Sequence, residues 1–164
     1  MKNDTGKINM LTPVREFFEK YGTIPGSLLD VGVGDPDLLK IVKEFGHSYT
    51  TLNIIGKCDY NVANDPYNWP IIDNTFDYVL SITTFEHIEF PWLTFLEMVR
   101  VTKQNGHILI MAPSAGSTHG YWDGWRYYED SMRSFAKWGK VELLNVFIDN
   151  NFSWKFCIGI FKKV

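Results

Sequence analysis

The chain has 164 residues, 45% of them hydrophobic and 21% charged, and a formal net charge of −3, which excludes a disordered chain and disfavours nucleic acid as an obligate partner. The length suits one domain spanning 1–164, with a leading helical segment over 1–26. Cys58 and Cys157 stand far apart and outside any CxxC pair, so no disulfide framework and no metal site is expected, and a reducing, cytoplasmic setting is.

Residues 12–22, "TPVREFFEKYG", predict an amphipathic helix with Thr12 as N-cap, Pro13 in the first turn, Val14, Phe17, Phe18 and Tyr21 on one face, and Gly22 as its stop. The amino-terminal stretch before it has no apolar signal core, and no window of the chain reaches about 18 apolar residues, so a membrane partner is not expected. "SLLDVG" is an apolar run suited to a strand buried on both faces. Asp35 and Pro36 then supply an N-cap and a first-turn proline, and Leu38, Ile41, Val42 and Phe45 keep helical spacing up to Gly46.

"SYTTLNI" (48–54) and "CDYNVA" (58–63) predict two strands with almost no room for a helix between them. "FDYVLSIT" (76–83) predicts a buried strand, and "PWLTFLEMVRV" (91–101) a helix with Trp92, Phe95, Leu96 and Val99 on one face. "QNG" then reads as a turn into the strand "HILIMAP". Beyond a polar loop comes a helix over 129–138, stopped by Gly139, and then two strands, "KVELLNVFI" and "FSWKFCIGIFKKV", joined by "DNN". So short a link requires an antiparallel hairpin. The fold class is α/β, a Rossmann-like, mostly parallel sheet closed by that hairpin, with the helix between strands 2 and 3 missing or very short.

In such a sheet ligands bind beyond the carboxyl ends of the strands, and Gly32 and Gly34 lie in the first of these bends. A dinucleotide fold would place a third glycine near position 37 and an acid about 20 residues further on. The chain has Asp37 and Asn53 there, so a nicotinamide oxidoreductase is disfavoured.

Asp30-Val31-Gly32-Val33-Gly34-Asp35 resembles motif I of class I S-adenosylmethionine-dependent methyltransferases, with Pro36 in place of the third glycine. The run "NDPYNWPIIDNTFDYVLSITTFEHIEFPWLTFLEMVRVTKQNGHILIMAPS" is similar to the broad small-molecule, type 11-like branch of that family, in which an acid precedes a "P…D-N-S-F-D" turn, a strand, "E-H", and a helix ending near "G-G". The resemblance covers roughly residues 27–150. "NDPY" at 64–67 precedes the fourth strand, so it differs from the signature of DNA-base amino methylases, and no nucleic-acid partner is expected.

The resemblance implies S-adenosylmethionine as cofactor, S-adenosylhomocysteine as product and a small-molecule, sugar or glycan-like acceptor. It implies that Asp30 orients the bend and holds the methionine amino group, that Gly32 and Gly34 let the cofactor approach, and that Asn53 stands where an acid usually grips the ribose. Asp65 would meet the adenine amino group, with Pro66 and Tyr67 shaping that pocket, and Thr83 and Thr84 would line the methionine end. Simpler roles stand beside these: Asp30 satisfying backbone amides and Asp65 opening an Asp-Pro turn.

His87, His119 and Asp123 are candidates for removing an acceptor's proton, His87 having also the simpler role of capping the next helix. Tyr121, Trp122, Trp125, Arg126 and Tyr127 crowd aromatic faces around one cation, fit for stacking on a ring or sugar and pairing with an anion. Against this stands the reading that the rings bury the end of the sheet while Arg126 pairs with Asp123. The segment is also similar to one in some bacterial and phage-encoded methyltransferase-like proteins. Asn53, the absent helix and the small size leave open a degenerate binding module without turnover, and the shortened cofactor wall leaves room for a homodimer in which a second subunit covers an apolar patch.

Overall fold

The computed structural model describes residues 10–32, 36–120, 122–151 and 153–164. Helix α1 (Thr12–Tyr21) starts from Leu11 as N-cap, not from Thr12, because the Leu11 carbonyl accepts the amides of Val14 at 3.1 Å and Arg15 at 3.0 Å. Strand β1 (Ser27–Val31) follows, then α2 (Pro36–Glu44), β2 (Ser48–Asn53) and the two-residue β3 (Tyr60–Asn61). The expected N-cap Asp35 lies outside the described residues. No helix joins β2 to β3, as the short sequence between them requires.

Strand β4 (Phe76–Ile82) leads through a single 3₁₀ turn (Phe85–His87) to α3 (Pro91–Val101). The buried face of α3 is Pro91, Thr94, Phe95, Met98 and Val101, whereas Trp92 and Leu96 are partly exposed, 38% and 36%. Apolar spacing alone selected a face rotated from the one that packs, since nearly every residue on α3 is apolar and the neighbours decide. Strand β5 (Thr102–Pro113) begins directly at the helix end. "QNG" is an excursion within this strand, not a turn before it: Thr102 aligns with Phe76 and His107 with Tyr78, and Asn105, at φ 64°, gives its amide to the Lys163 carbonyl.

Helix α4 (Glu129–Gly139) runs through Gly139 and ends at Lys140, which takes the left-handed conformation with φ 52°. Gly139 serves packing instead: a Cβ there would lie 2.6 Å from the Phe95 ring of α3. Strands β6 (Glu142–Asp149) and β7 (Phe156–Lys162) close the chain as an antiparallel pair, and Ser153 and Trp154 fall in their connecting loop.

The described strands form one sheet in the order β3-β2-β1-β4-β5-β7-β6, in which β7 runs opposite to the other six. Alternation along the central strands sends Leu29, Val79 and Ile110 to one face, covered by α3 and α4, and Leu28, Leu80 and Leu109 to the other, covered by α1 and α2. Both faces of the central strands are buried beneath helices, so polar chemistry gathers at the strand ends. The chain leaves β1 towards β2 on one side and returns as β4 on the other, which makes the carboxyl ends of β1 and β4 the topological switch point. Among the described residues no helix is long and apolar enough to cross a membrane.

Candidate active site

The switch point is tied by two side chains of β4 and its following loop. Ser81 Oγ donates to the Val31 carbonyl at 3.0 Å, and Thr84 Oγ1 donates to the Gly32 carbonyl at 3.1 Å. Gly32 has φ 87°, and a Cβ there would fall 2.1 Å from Thr84 Cγ2, so both the conformation and the space require glycine. Thr83 carries an unusual φ of 47° and donates its amide to the Met111 carbonyl at 2.8 Å. Gly34 lies outside the described residues.

Asp30, 2% exposed, accepts a hydrogen bond from Tyr49 Oη of β2. Nothing in the local sequence points to Tyr49; the parallel β1–β2 register sets it opposite Leu28, two residues before Asp30 on the same face of β1. At the end of β2, Asn53 Oδ1 accepts the Ile54 amide at 2.8 Å, which leaves the two amide hydrogens of Asn53 without a partner among the described residues. Asp65 is exposed in a turn in which its carbonyl accepts the Asn68 amide, and the Pro66 carbonyl accepts Trp69 Nε1 at 2.9 Å. Tyr67 Oη accepts the Phe90 amide and the two rings meet edge to face, 5.5 Å apart.

A second group of side chains gathers between the 3₁₀ turn and the loop after β5. Glu86 is 1% exposed, and its Oε2 has no hydrogen-bond partner among the described residues. Burial pushes the Glu86 carboxyl above its ordinary pKa, with a backbone hydrogen bond and the neighbouring His87 and His119 acting in the opposite direction. The His87 and His119 rings stand edge to face, with centroids 4.8 Å apart. His87 Nδ1 meets the Trp122 carbonyl, and His119 Nδ1 meets Asp123 Oδ2 at 2.9 Å. His87 does not cap α3, whose N-cap is Phe90.

Asp123 also takes both terminal nitrogens of Arg126, one of them at 2.9 Å to Oδ2, and the guanidinium holds its carboxyl well below the usual carboxylate range. Arg126 donates further to the Ser117 carbonyl at 2.9 Å and lies over the Trp154 ring at 5.5 Å. Its charge is thus spent on holding the loop. Trp154 also packs edge to face on His119, 4.7 Å away, a contact from the β6–β7 loop that local sequence cannot reveal.

The aromatic block divides. Trp122 and Trp125 remain 39% and 37% exposed, Trp125 anchoring its indole to the Ile88 carbonyl at 2.8 Å. Tyr127 turns inward, 4% exposed, and donates to the Phe85 carbonyl at 2.9 Å. Its ring belongs to the core between β5 and α4, away from the exposed rings. Tyr121 lies outside the described residues.

A protein-family profile described as "Methyltransferase domain" matches residues 29–110. The chain belongs to that methyltransferase family. The matched segment begins at Leu29 in β1, just before Asp30, and ends within β5, so it contains the switch point and the Glu86-His87 turn. No curated protein matches the chain in sequence. Among solved structures, the chain is similar to a 1,6-didemethyltoxoflavin-N1-methyltransferase from Burkholderia thailandensis with bound 1,6-didemethyltoxoflavin and S-adenosylhomocysteine, at TM-score 0.74 and 12% identity over 94% of this chain and 78% of that one. It is similar to a SAM-dependent methyltransferase from Aquifex aeolicus at TM-score 0.71 and 18% identity, over 98% and 95% of the two chains. It is also similar to the [4+2]-cyclase SpnF at TM-score 0.72 and 12% identity, over 98% and 84%. At these identities the likeness establishes the seven-stranded methyltransferase fold.

Proposed function

We propose that this methyltransferase-family chain binds S-adenosylmethionine at the carboxyl ends of β1, β2 and β4 and passes its methyl group to a small-molecule acceptor. The observation that carries the reading is Gly32, held at φ 87° against Thr84 at the switch point, in a segment that the family profile covers. The residues present fit the cofactor chemically. Asp30 sets a buried carboxylate at the end of β1, suited to an ammonium group, and Asn53 and Asp65 offer hydrogen-bonding groups further along the same edge for hydroxyl and amino groups.

The cofactor supplies the chemistry, an electrophilic methyl on a sulfonium. The chain's own residues position, dry and deprotonate. Asp30, steadied by Tyr49, fixes one end of the ligand, and Thr84 fixes the β4 loop against the bend. Glu86, His87 and His119 form the polar side of the acceptor space, where an acceptor O–H or N–H would lose its proton. Asp123 and Arg126 serve as the frame that orients His119, and the half-exposed Trp122 and Trp125 offer apolar walls for a planar acceptor.

Calorimetric titration with S-adenosylmethionine and S-adenosylhomocysteine tests the reading, with Asp30→Ala as control. Saturable binding that the substitution abolishes is expected; absence of binding at millimolar ligand overturns it. Binding without transfer across a broad acceptor set would mark the chain as a module without turnover. A homodimer would cover Ile54 and Ile55, exposed where the helix between β2 and β3 is missing, and monomeric sedimentation at high concentration would exclude it.

A further inference from the structure

One ligand atom from each of Glu86, His87 and His119 lies within 4.8 Å of the other two. The three come from the 3₁₀ turn after β4 and from the loop after β5. Each imidazole has its Nδ1 occupied, by the Trp122 carbonyl for His87 and by Asp123 for His119. Those acceptors place the ring hydrogen on Nδ1, which leaves Nε2 of both rings as a lone-pair donor. A carboxylate or carbonyl behind each imidazole is the arrangement that orients histidine ligands and raises their basicity.

Glu86 supplies the independent observation. Its side chain is 1% exposed, yet Oε2 has no partner among the described residues, and Oε1 lies 3.8 Å from His87 Nε2. An isolated buried carboxylate is costly, and the unpartnered atom marks a place where positive charge is wanted. His87 and His119 keep 33% and 44% of their side-chain surface open to solvent, so an ion held here would have coordination positions left on the outer side.

From this geometry we propose that Glu86, His87 and His119 form a binding site for a divalent first-row transition cation of the zinc class. Two imidazole nitrogens and one carboxylate match the donor set of open zinc sites. Ligand atoms around a tetrahedral ion stand about 3.3 Å apart, so from the 4.8 Å limit the cluster must draw in by about 1.5 Å at most, with both rings partly open to solvent. That the ion binds is independent of methyl transfer. What it does rests on the methyl-transfer reading: it would hold an acceptor oxygen or nitrogen beside the cofactor pocket, joined to it through the Thr84 carbonyl that accepts the His87 amide at 2.9 Å.

The test uses the full chain without an affinity tag, stripped with a chelator, titrated with Zn²⁺ by calorimetry and with Co²⁺ by visible absorption. One equivalent of Zn²⁺ and Co²⁺ bands of a four- or five-coordinate centre are expected. Glu86→Gln, His87→Ala and His119→Ala should each weaken Zn²⁺ by at least ~10-fold, with cooperative melting retained as the control for folding. Should His119→Ala fail to fold, His119→Gln takes its place. Absence of saturable binding, or an affinity that these substitutions leave unchanged, overturns the proposal. Titration of the same stripped protein with S-adenosylhomocysteine reads the cofactor pocket separately, so loss of the ion site and loss of the methyltransferase reading are told apart.

Discussion

The end of β1 and the loop after β5 lie on the same edge of the sheet and are built on opposite principles. At β1 the working parts are a glycine, a buried carboxylate and a threonine cap, and what matters is space: a Cβ on Gly32 would sit 2.1 Å from Thr84. In the loop after β5 the working parts are charges that hold one another. Asp123 takes Arg126 and His119, Arg126 takes the Ser117 carbonyl and the Trp154 face, and His119 stands against His87. A site made of space is specified by a few adjacent residues. One made of mutual charges needs several segments in register before any member is useful.

The largest effect that would break this contrast is at Gly32. Gly32→Val forces a β-branched residue into positive φ and into Thr84, so we expect a loss of about 3 kcal/mol in urea unfolding and no S-adenosylhomocysteine binding by calorimetry. Retained binding would mean that the space above β1 is not the cofactor's. His119→Ala should leave that binding unchanged while lowering methyl transfer from labelled S-adenosylmethionine by about 100-fold or more, which separates the two regions functionally.

Asp123→Asn sharpens the electrostatic half. Removing the charge leaves Arg126 partly buried without its counter-ion, and a loss of about 2 kcal/mol at pH 7 is expected from denaturant melts. Because the folded-state pKa of Asp123 is depressed by Arg126, its contribution is present above the ordinary carboxylate pKa and is lost as pH falls towards the folded value. The difference between wild type and variant should therefore be flat from neutral pH to about pH 5 and shrink below about pH 4. The smallest effect concerns the sheet beneath both regions. Cys157 on β7 is fully buried and its thiol is pushed up to about 12 by desolvation, so a thiol reagent at pH 8 should modify Cys58 alone until the protein unfolds.

Sequence patterns settled what depends on neighbours along the chain. The order of strands and helices, the bend after β1, the missing helix before β3 and the antiparallel closing pair all follow from apolar runs, glycine and proline positions and a link too short for a crossover. Motif resemblance also pointed to Asp30 and to the Glu86-His87 pair. Tertiary structure decided everything that depends on which residue meets which across the chain. It turned Tyr127 into the core while Trp125 stayed at the surface, chose Met98 and Val101 over Trp92 and Leu96 to flank Phe95 on the buried face of α3, and bound Tyr49 to Asp30. It brought His119 from one loop against His87 from another, with Trp154 from a third behind it, and sealed Glu86 beneath them. The physical reason is range: turn chemistry and periodicity act over a few residues, whereas burial and charge pairing are fixed only when the β4–β5–β7 ladder sets its loops side by side.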